Sequence, residues 1–146
     1  MVDEAGRASS LPRVRRSDQR RDAVFALYQR DVTSRSLAEQ LTDAKPFTRE
    51  LALGTDVEMP ELDQEIARLS RGWELDRIAA LERSIMRVAL HEMGDGLPVE
   101  VAIDEAVNLA REFCGADAPG FVNGILGSAA RERAGAGAGT EAEAAP

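Results

Sequence analysis

The stretch Trp73–Met93 constrains the fold most, because it predicts a helix that is apolar around more than half of its circumference. Its apolar residues recur at spacings of three and four, as on one helical face, and also fall outside that face: Ile78, Leu81, Ile85, Met86, Val88 and Leu90. A helix of this kind needs neighbours on several sides. We therefore expect a central helix, capped by Asp76 and ended near Gly94, with other helices packed around it.

The same apolar spacing predicts further helices. They should begin close to Ser17 or Asp18, Ser36, Phe47, Pro60, Pro98 and Asp117. Ser36 and Glu39 have the spacing of a capping box, in which two side chains satisfy free backbone N–H groups. No pair of segments alternates as strands do, so the sequence predicts an all-α fold of about seven helices. The expected core contains Ile85, Val88, Ala89, Ala106, Leu109 and Ile125.

The chain of 146 residues is long enough for one domain with a substantial core. Residues 1–12 show no periodicity and are expected to form a disordered leader, followed by a helical domain over residues 13–133. From residue 134 the sequence becomes rich in alanine, glycine and glutamate. This composition predicts a disordered tail over residues 134–146.

Several classes of protein are excluded by what the sequence lacks. No apolar run approaches the roughly 18 residues that cross a bilayer, and no export signal is recognisable. We therefore expect no membrane association and a cytoplasmic location. The single cysteine, Cys114, allows no internal disulfide. Because His91 is the single histidine, a zinc site is not expected, and the sequence indicates no cofactor.

Positive charge is concentrated near the N-terminus of an otherwise acidic chain. The net charge is −8, yet residues 7–21, here called the basic arm, contain six arginines against one aspartate. Arginine binds phosphate oxygens in pairs through its planar guanidinium group. The asymmetry indicates a segment that meets a polyanion, although a solubilising leader would have the same composition. The candidate phosphate ligands are Arg13, Arg15, Arg16, Arg20 and Arg21.

Groups suited to catalysis are scarce. Asp104 and Glu105 are adjacent, so they point about 100° apart around a helix and cannot converge on one substrate atom. We interpret both as solvated charges. Cys114 lacks the cationic neighbours that lower a thiol pKa, and His91 is expected at a helix surface or interface. The sequence therefore predicts that the chain is not an enzyme.

Two aromatic positions have alternative interpretations. Tyr28 is either a core residue or a platform for an unpaired base. Residues 120–124 include glycine and asparagine, which weaken a helix interior. Either Gly124 permits a close helix–helix contact, or Phe121 and Asn123 belong to a binding surface.

Three blocks of the sequence carry recognisable motifs. They are residues 20–28 (RRDAVFALY), the pattern R-x-I-x-R at residues 83–87 with Glu92 beyond it, and residues 101–110 (VAIDEAVNLA) followed by residues 121–126 (FVNGIL). These blocks resemble the NusB family of transcription antitermination factors. Each block alone is unspecific, but their order and spacing together are a strong signal. The resemblance extends roughly from Arg13 to Glu132.

The resemblance implies two small packed helical bundles and no catalysis. It implies binding of boxA RNA from ribosomal operons together with NusE, a small-subunit ribosomal protein. This assembly belongs to a transcribing RNA polymerase complex with other Nus factors. By motif position, Asp76 and Glu82 should meet NusE. By motif position, the resemblance places Arg16, Arg20, Tyr28, Asp117 and Phe121 at RNA contacts. Arg13, Arg15, Arg21 and Asn123, predicted from the sequence pattern, complete the set of RNA-binding candidates.

Alternatives to this function remain. A NusB-like domain also precedes the catalytic domain of some ribosomal-RNA cytosine methyltransferases. The expected tail leaves no room for a catalytic domain with a cofactor-binding sheet, which disfavours that alternative. A purely protein-binding helical module would differ only in that the basic arm does not touch RNA. The sequence leaves open whether the free protein is a monomer or a homodimer.

Overall fold

The structure, a computed structural model, describes the backbone of residues 12–71 and 74–144 and the side chains of residues 16–71 and 74–136. Over these ranges it consists of seven α-helices and one short 3-10 helix, without a strand. They are α1 (Pro12–Val32), α2 (Leu37–Gln40), α3 (Pro46–Val57), α4 (Met59–Leu69), the 3-10 helix (Leu75–Arg77), α5 (Ala80–Gly94), α6 (Val99–Phe113) and α7 (Ala118–Ala144). The predicted all-α fold class is confirmed.

Helix α5 is the centre of the fold. It packs against α1, α3, α4, α6 and α7. Every residue from Ser84 to Leu90 is buried, which confirms the predicted helix with neighbours on several sides. Because α1 also packs on α3, and α6 on α7, α5 joins two small bundles. The six core residues named from the sequence all lie in one buried cluster.

Local chemistry accounts for several helix starts. The Ser36 hydroxyl accepts a hydrogen bond from the Glu39 backbone N–H at 3.1 Å, which is one of the two bonds of the predicted capping box. Pro46 and Pro60 lie in the first positions of α3 and α4, where a missing N–H removes no helical hydrogen bond. Gly96, just beyond α5, has a φ of +100°, which favours glycine.

The predicted start of α1 is wrong. The helix begins at Pro12 rather than at Ser17 or Asp18. Proline fixes φ near the helical value and lacks an N–H that would need a partner at this position. Consequently, the described part of the basic arm lies within a helix instead of across its start.

The predicted start of the central helix is also wrong. Asp76 lies in the 3-10 helix, and α5 begins only at Ala80. Arg83 explains this arrangement, because its Nη1 donates to the carbonyl oxygens of Leu75 at 3.1 Å and Ile78 at 2.7 Å. These two bonds stabilise a separate turn ahead of α5.

The C-terminal backbone differs from the predicted tail. Helix α7 continues to Ala144, although the sequence predicted disorder from residue 134. Alanine, the strongest helix former, can continue a helix across single glycines. Residues 1–11 of the predicted leader and Trp73 of the central stretch lie outside the described residues. Within the described ranges, each helix is too short or too polar to cross a bilayer.

Candidate nucleic-acid interface

Arg16 is an exposed cation in the N-terminal half of α1. Its guanidinium carbon lies 4.7 Å from the centroid of the Phe47 ring at the start of α3. At this distance the negative face of an aromatic ring attracts a cation. Among the described side chains, Arg16 forms no ion pair with a carboxylate. Its N–H groups are therefore available to an external anion such as phosphate.

Arg20, one turn further along α1, is buried and only 6% exposed. Its Nε and Nη2 donate to the two carboxylate oxygens of Glu92 on α5, at 2.5 and 2.8 Å. Its Nη1 lies 3.4 Å from Oε1 of Glu105 on α6. Burial alone would lower the pKa of Arg20, but the hydrogen bonds and charges of both glutamates raise it overall. This enclosed group joins three helices, which does not fit the predicted phosphate contact.

Of the other candidate phosphate ligands, the structure describes the side chain of Arg21 but not those of Arg13 and Arg15. Nη2 of Arg21 lies 3.4 Å from Oδ1 of Asp18, and both side chains are more than a third exposed. Such a pair adds little stability, so Arg21 can exchange its partner at low cost. For Arg13 and Arg15 the structure describes the helical backbone alone.

Tyr28 belongs to an aromatic contact between α1 and α6. It is half-buried, and its ring meets Phe25 edge-on with centroids 6.3 Å apart. Phe25 meets Phe113 of α6 in the same manner at 4.9 Å. Tyr28 lies twelve positions after Arg16, which is about 18 Å along a helix axis. The structure therefore does not bring these two predicted RNA ligands together.

A second group of predicted residues surrounds a cavity of about 340 Å³ at the starts of α5 and α7. Asp117 and Phe121, predicted to bind RNA, line it together with Glu82, predicted to bind the protein partner. Burial raises the pKa of Glu82. Asn123 is exposed but lies about 200° around α7 from Phe121, so it faces a different direction. The cavity therefore joins residues from both predicted sites and leaves Asn123 outside.

Asp76 lies in a different setting from Glu82. It is exposed and lines a cavity of about 480 Å³ that also borders Asp31 and Arg87. Arg87 is buried, and it donates to both carboxylate oxygens of Asp63 at 2.6 and 2.9 Å and to Asp31 at 2.7 Å. Asp31 is also exposed but is paired with Arg87, whereas no ion pair of Asp76 is formed among the described side chains.

The α7 face that carries Gly120 and Gly124 is open. A β-carbon added at either glycine would meet no neighbouring atom of the described residues within 4 Å. Of the two interpretations of residues 120–124, the close helix–helix contact at Gly124 is therefore wrong. Both glycines and Asn123 are exposed.

His91 and Cys114, which were considered as possible reactive groups, are both half-buried. His91 of α5 is half-buried and contacts Glu58 at the junction of α3 and α4, which confirms an interface histidine. Cys114 is half-buried at the end of α6, and burial, together with the charge of Glu82, raises the pKa of its thiol. A raised pKa keeps the thiol protonated and unreactive.

The contacts that hold α1 were not predicted for Phe47, Glu92 and Glu105. Glu105 was expected to be solvated, yet it accepts a hydrogen bond from the Ser17 hydroxyl at 2.9 Å. One signal was present in the sequence, because Arg20 shares the spacing of the buried face of α1: Ala23, Val24 and Leu27. An arginine on a buried face requires an acidic partner from another helix.

Comparison with known proteins identifies the family. The sequence matches the NusB family over residues 17–131. It is 39% identical over 121 residues to the transcription antitermination protein NusB of Rubrobacter xylanophilus, covering 76% of this chain and 86% of that protein. It is 36% identical over 131 residues to NusB of Desulforudis audaxviator, covering 82% and 95%. A solved structure of T. maritima NusB has a TM-score of 0.74 and 27% identity, covering 80% of this chain and 91% of that one. The chain therefore belongs to the NusB family.

Proposed function

We propose that this protein binds boxA-type single-stranded RNA of ribosomal operons together with NusE, within a transcribing RNA polymerase complex in the cytoplasm. Membership of a family of transcription antitermination proteins makes it a non-catalytic transcription factor. Our proposal adds that the RNA is of the boxA type and that NusE and other Nus factors are the protein partners.

The observation that carries the RNA proposal is the geometry of α1. Arg16 is exposed, and the next turn is fixed to the core by the ion pairs of Arg20. A cation on an ordered helix loses little conformational freedom when it binds a phosphate. The acidic remainder of the chain opposes RNA, so we expect weak binding alone and tighter binding with NusE.

The RNA test compares two triple variants in complex with NusE. Arg13→Gln, Arg15→Gln and Arg16→Gln together should flatten the dependence of log affinity on log salt by up to about two units, at ~0.7 per phosphate contact on a single strand. The control replaces three exposed arginines outside α1 by glutamine: Arg35, Arg68 and Arg131. An unchanged salt slope in the first variant would favour the alternative of a protein-binding module.

Phe121 tests sequence preference separately. Its ring lines the cavity beside Asp117, and a base stacked on an aromatic side chain contributes about 1–3 kcal/mol. We expect Phe121→Ala to reduce the preference for boxA over a scrambled RNA. The arginine triple variant should weaken both RNAs equally, because phosphate contacts carry no sequence information. Equal loss for both RNAs in Phe121→Ala would remove Phe121 from base recognition.

The protein partner is tested at the two predicted acidic residues. A basic ribosomal protein suits an acidic surface, because complementary potentials accelerate encounter. Asp76→Lys and Glu82→Lys should each weaken NusE binding in a calorimetric titration, whereas Glu112→Lys, at an exposed position of α6, should not. Circular dichroism should show unchanged folding in all three. A variant with wild-type affinity would be excluded from the interface.

A further inference from the structure

Glu105 holds the N-terminal half of α1 through two contacts. Its Oε1 accepts the hydrogen bond from Ser17 Oγ at 2.9 Å and lies 3.4 Å from Arg20 Nη1. Arg20 is also held by the paired hydrogen bonds to Glu92. A single carboxylate oxygen of α6 therefore contacts two neighbouring turns of α1.

Helix α3 holds the same part of α1 from another side. Thr48 Oγ1 donates to the carbonyl oxygen of Gln19 at 2.9 Å. The Phe47 ring lies 4.7 Å from the Arg16 guanidinium and 5.8 Å from that of Arg20. Contacts from both α3 and α6 fix the rotation of α1 about its own axis. That rotation sets the direction of Arg16, which directly precedes Ser17 in the sequence.

We propose that Glu105 is a positioning residue for RNA binding, which orients the turn of α1 that carries Arg16 without touching RNA itself. This inference rests on the RNA-binding function proposed above. It predicts an effect opposite in sign to simple electrostatics. Loss of an acidic charge near a basic surface ordinarily raises affinity for a polyanion. Loss of the Glu105 charge should instead lower the RNA affinity, because Arg16 is no longer held in its binding direction.

The adjacent residue supplies a matched control. Asp104 is exposed, and Asp104→Asn removes the same charge one position away from Glu105→Gln. Both full-length variants are titrated with labelled boxA RNA in the presence of NusE at one salt concentration. Asp104→Asn should bind as wild type or up to about twofold more tightly. Glu105→Gln should bind about three- to tenfold more weakly. Binding by Glu105→Gln as tight as that by Asp104→Asn would overturn the proposal.

A second variant tests the hydrogen bond between Ser17 and Glu105 while the charge of Glu105 is kept. Ser17→Ala removes the donor to Glu105 without changing any charge. It should also weaken RNA binding. Combined with Glu105→Ala, which removes the acceptor, it should lose less than the product of the two single losses, because both substitutions break the same contact. Unaltered affinity of Ser17→Ala would overturn the proposal even if Glu105→Gln failed to fold.

Hydrogen exchange gives a readout that does not depend on RNA. Amides of residues 16–20 should exchange faster in Glu105→Gln than in Asp104→Asn, and those of α4 equally in both. Equal exchange in residues 16–20 would contradict the positioning role. If the unsubstituted complex fails to bind RNA, the proposed function fails as well. If it binds, and its salt slope depends on the basic arm while Glu105→Gln resembles Asp104→Asn, the positioning role alone fails.

Discussion

Among the described side chains, Arg16 is exposed whereas Arg20 and Arg87 are buried, and other arginines are half-buried. The free energy lost when a guanidinium leaves water is several kcal/mol, and nearby carboxylates must offset it. Each buried arginine accordingly contacts two acidic side chains from other helices. At the residue scale, these pairs connect helices, whereas Arg16 remains available for binding.

Removal of Arg20 should destabilise the fold strongly. Arg20→Gln leaves Glu92 as a buried carboxylate without its cation, which should lower the free energy of unfolding by about 3–5 kcal/mol. Urea denaturation measures the change. Arg21→Gln, a neighbouring and more exposed substitution, should stay within about 0.5 kcal/mol of wild type. Equal stability of the two variants would show that Arg20 is not a buried anchor.

Glu82 should make stability fall as pH rises. Burial raises its pKa, so the folded state keeps a proton that the unfolded chain has already released. Above the ordinary value of 4.5 the native state therefore binds more protons, and the free energy of unfolding decreases until Glu82 ionises in the fold. Glu82→Gln should gain stability relative to wild type across this range, as measured by urea denaturation at several pH values. A pH-independent difference would contradict the prediction.

At the element scale, helix boundaries set by local chemistry could be predicted, and those set by distant contacts could not. The capping box at Ser36 and the proline at Pro60 were found because their effect needs only neighbouring residues. The separate start of α5 depends on Arg83 bonding back to the 3-10 turn, which spacing rules do not contain. The start at Pro12 was missed because two later residues also had capping side chains.

In the candidate site, too, local features could be predicted from the sequence, whereas features that depend on distant contacts could not. The exposed Arg16 could be predicted, since a cation at a helix surface requires no partner. The role of Glu105 could not, because its partner Ser17 is 88 positions away in the chain. The grouping of Glu82 with Phe121 likewise arises from the packing of α5 beside α7. Composition and motifs predict which residues are candidates for binding, whereas the contacts between those residues depend on the packing of helices that are distant in the sequence.

The effect of Gly54→Ala on stability should change sign when the His91 side chain, which Gly54 faces across the contact of α3 with α5, is removed. A β-carbon at Gly54 would lie 2.8 Å from Nε2 of His91, which is too close. Gly54→Ala should therefore destabilise the protein by about 1–3 kcal/mol through overpacking. In a His91→Ala background the same change should stabilise it by about 0.5–1 kcal/mol, because alanine favours the helix. Thermal denaturation of the four proteins tests this, and a stabilising Gly54→Ala with His91 present would contradict it.

At the scale of the whole molecule, α5 belongs to both bundles, so they should unfold together. Ile85 is 1% exposed on α5, and Ile85→Ala should lower the free energy of unfolding by about 2–5 kcal/mol. Circular dichroism and hydrogen exchange in α3 and α6 should give one urea midpoint, before and after substitution. Separate midpoints for the two bundles would contradict a shared centre.

The open glycine face of α7 has a consequence for how sequences of this kind vary. Gly120 and Gly124 lie in a helix, where alanine is favoured by about 1 kcal/mol, and nothing described in the fold excludes a methyl group there. If selection acted on folding alone, alanine would come to replace glycine at both positions. A persistent preference for glycine across many relatives would therefore record the close approach of a binding partner, and its absence would mark the face as neutral.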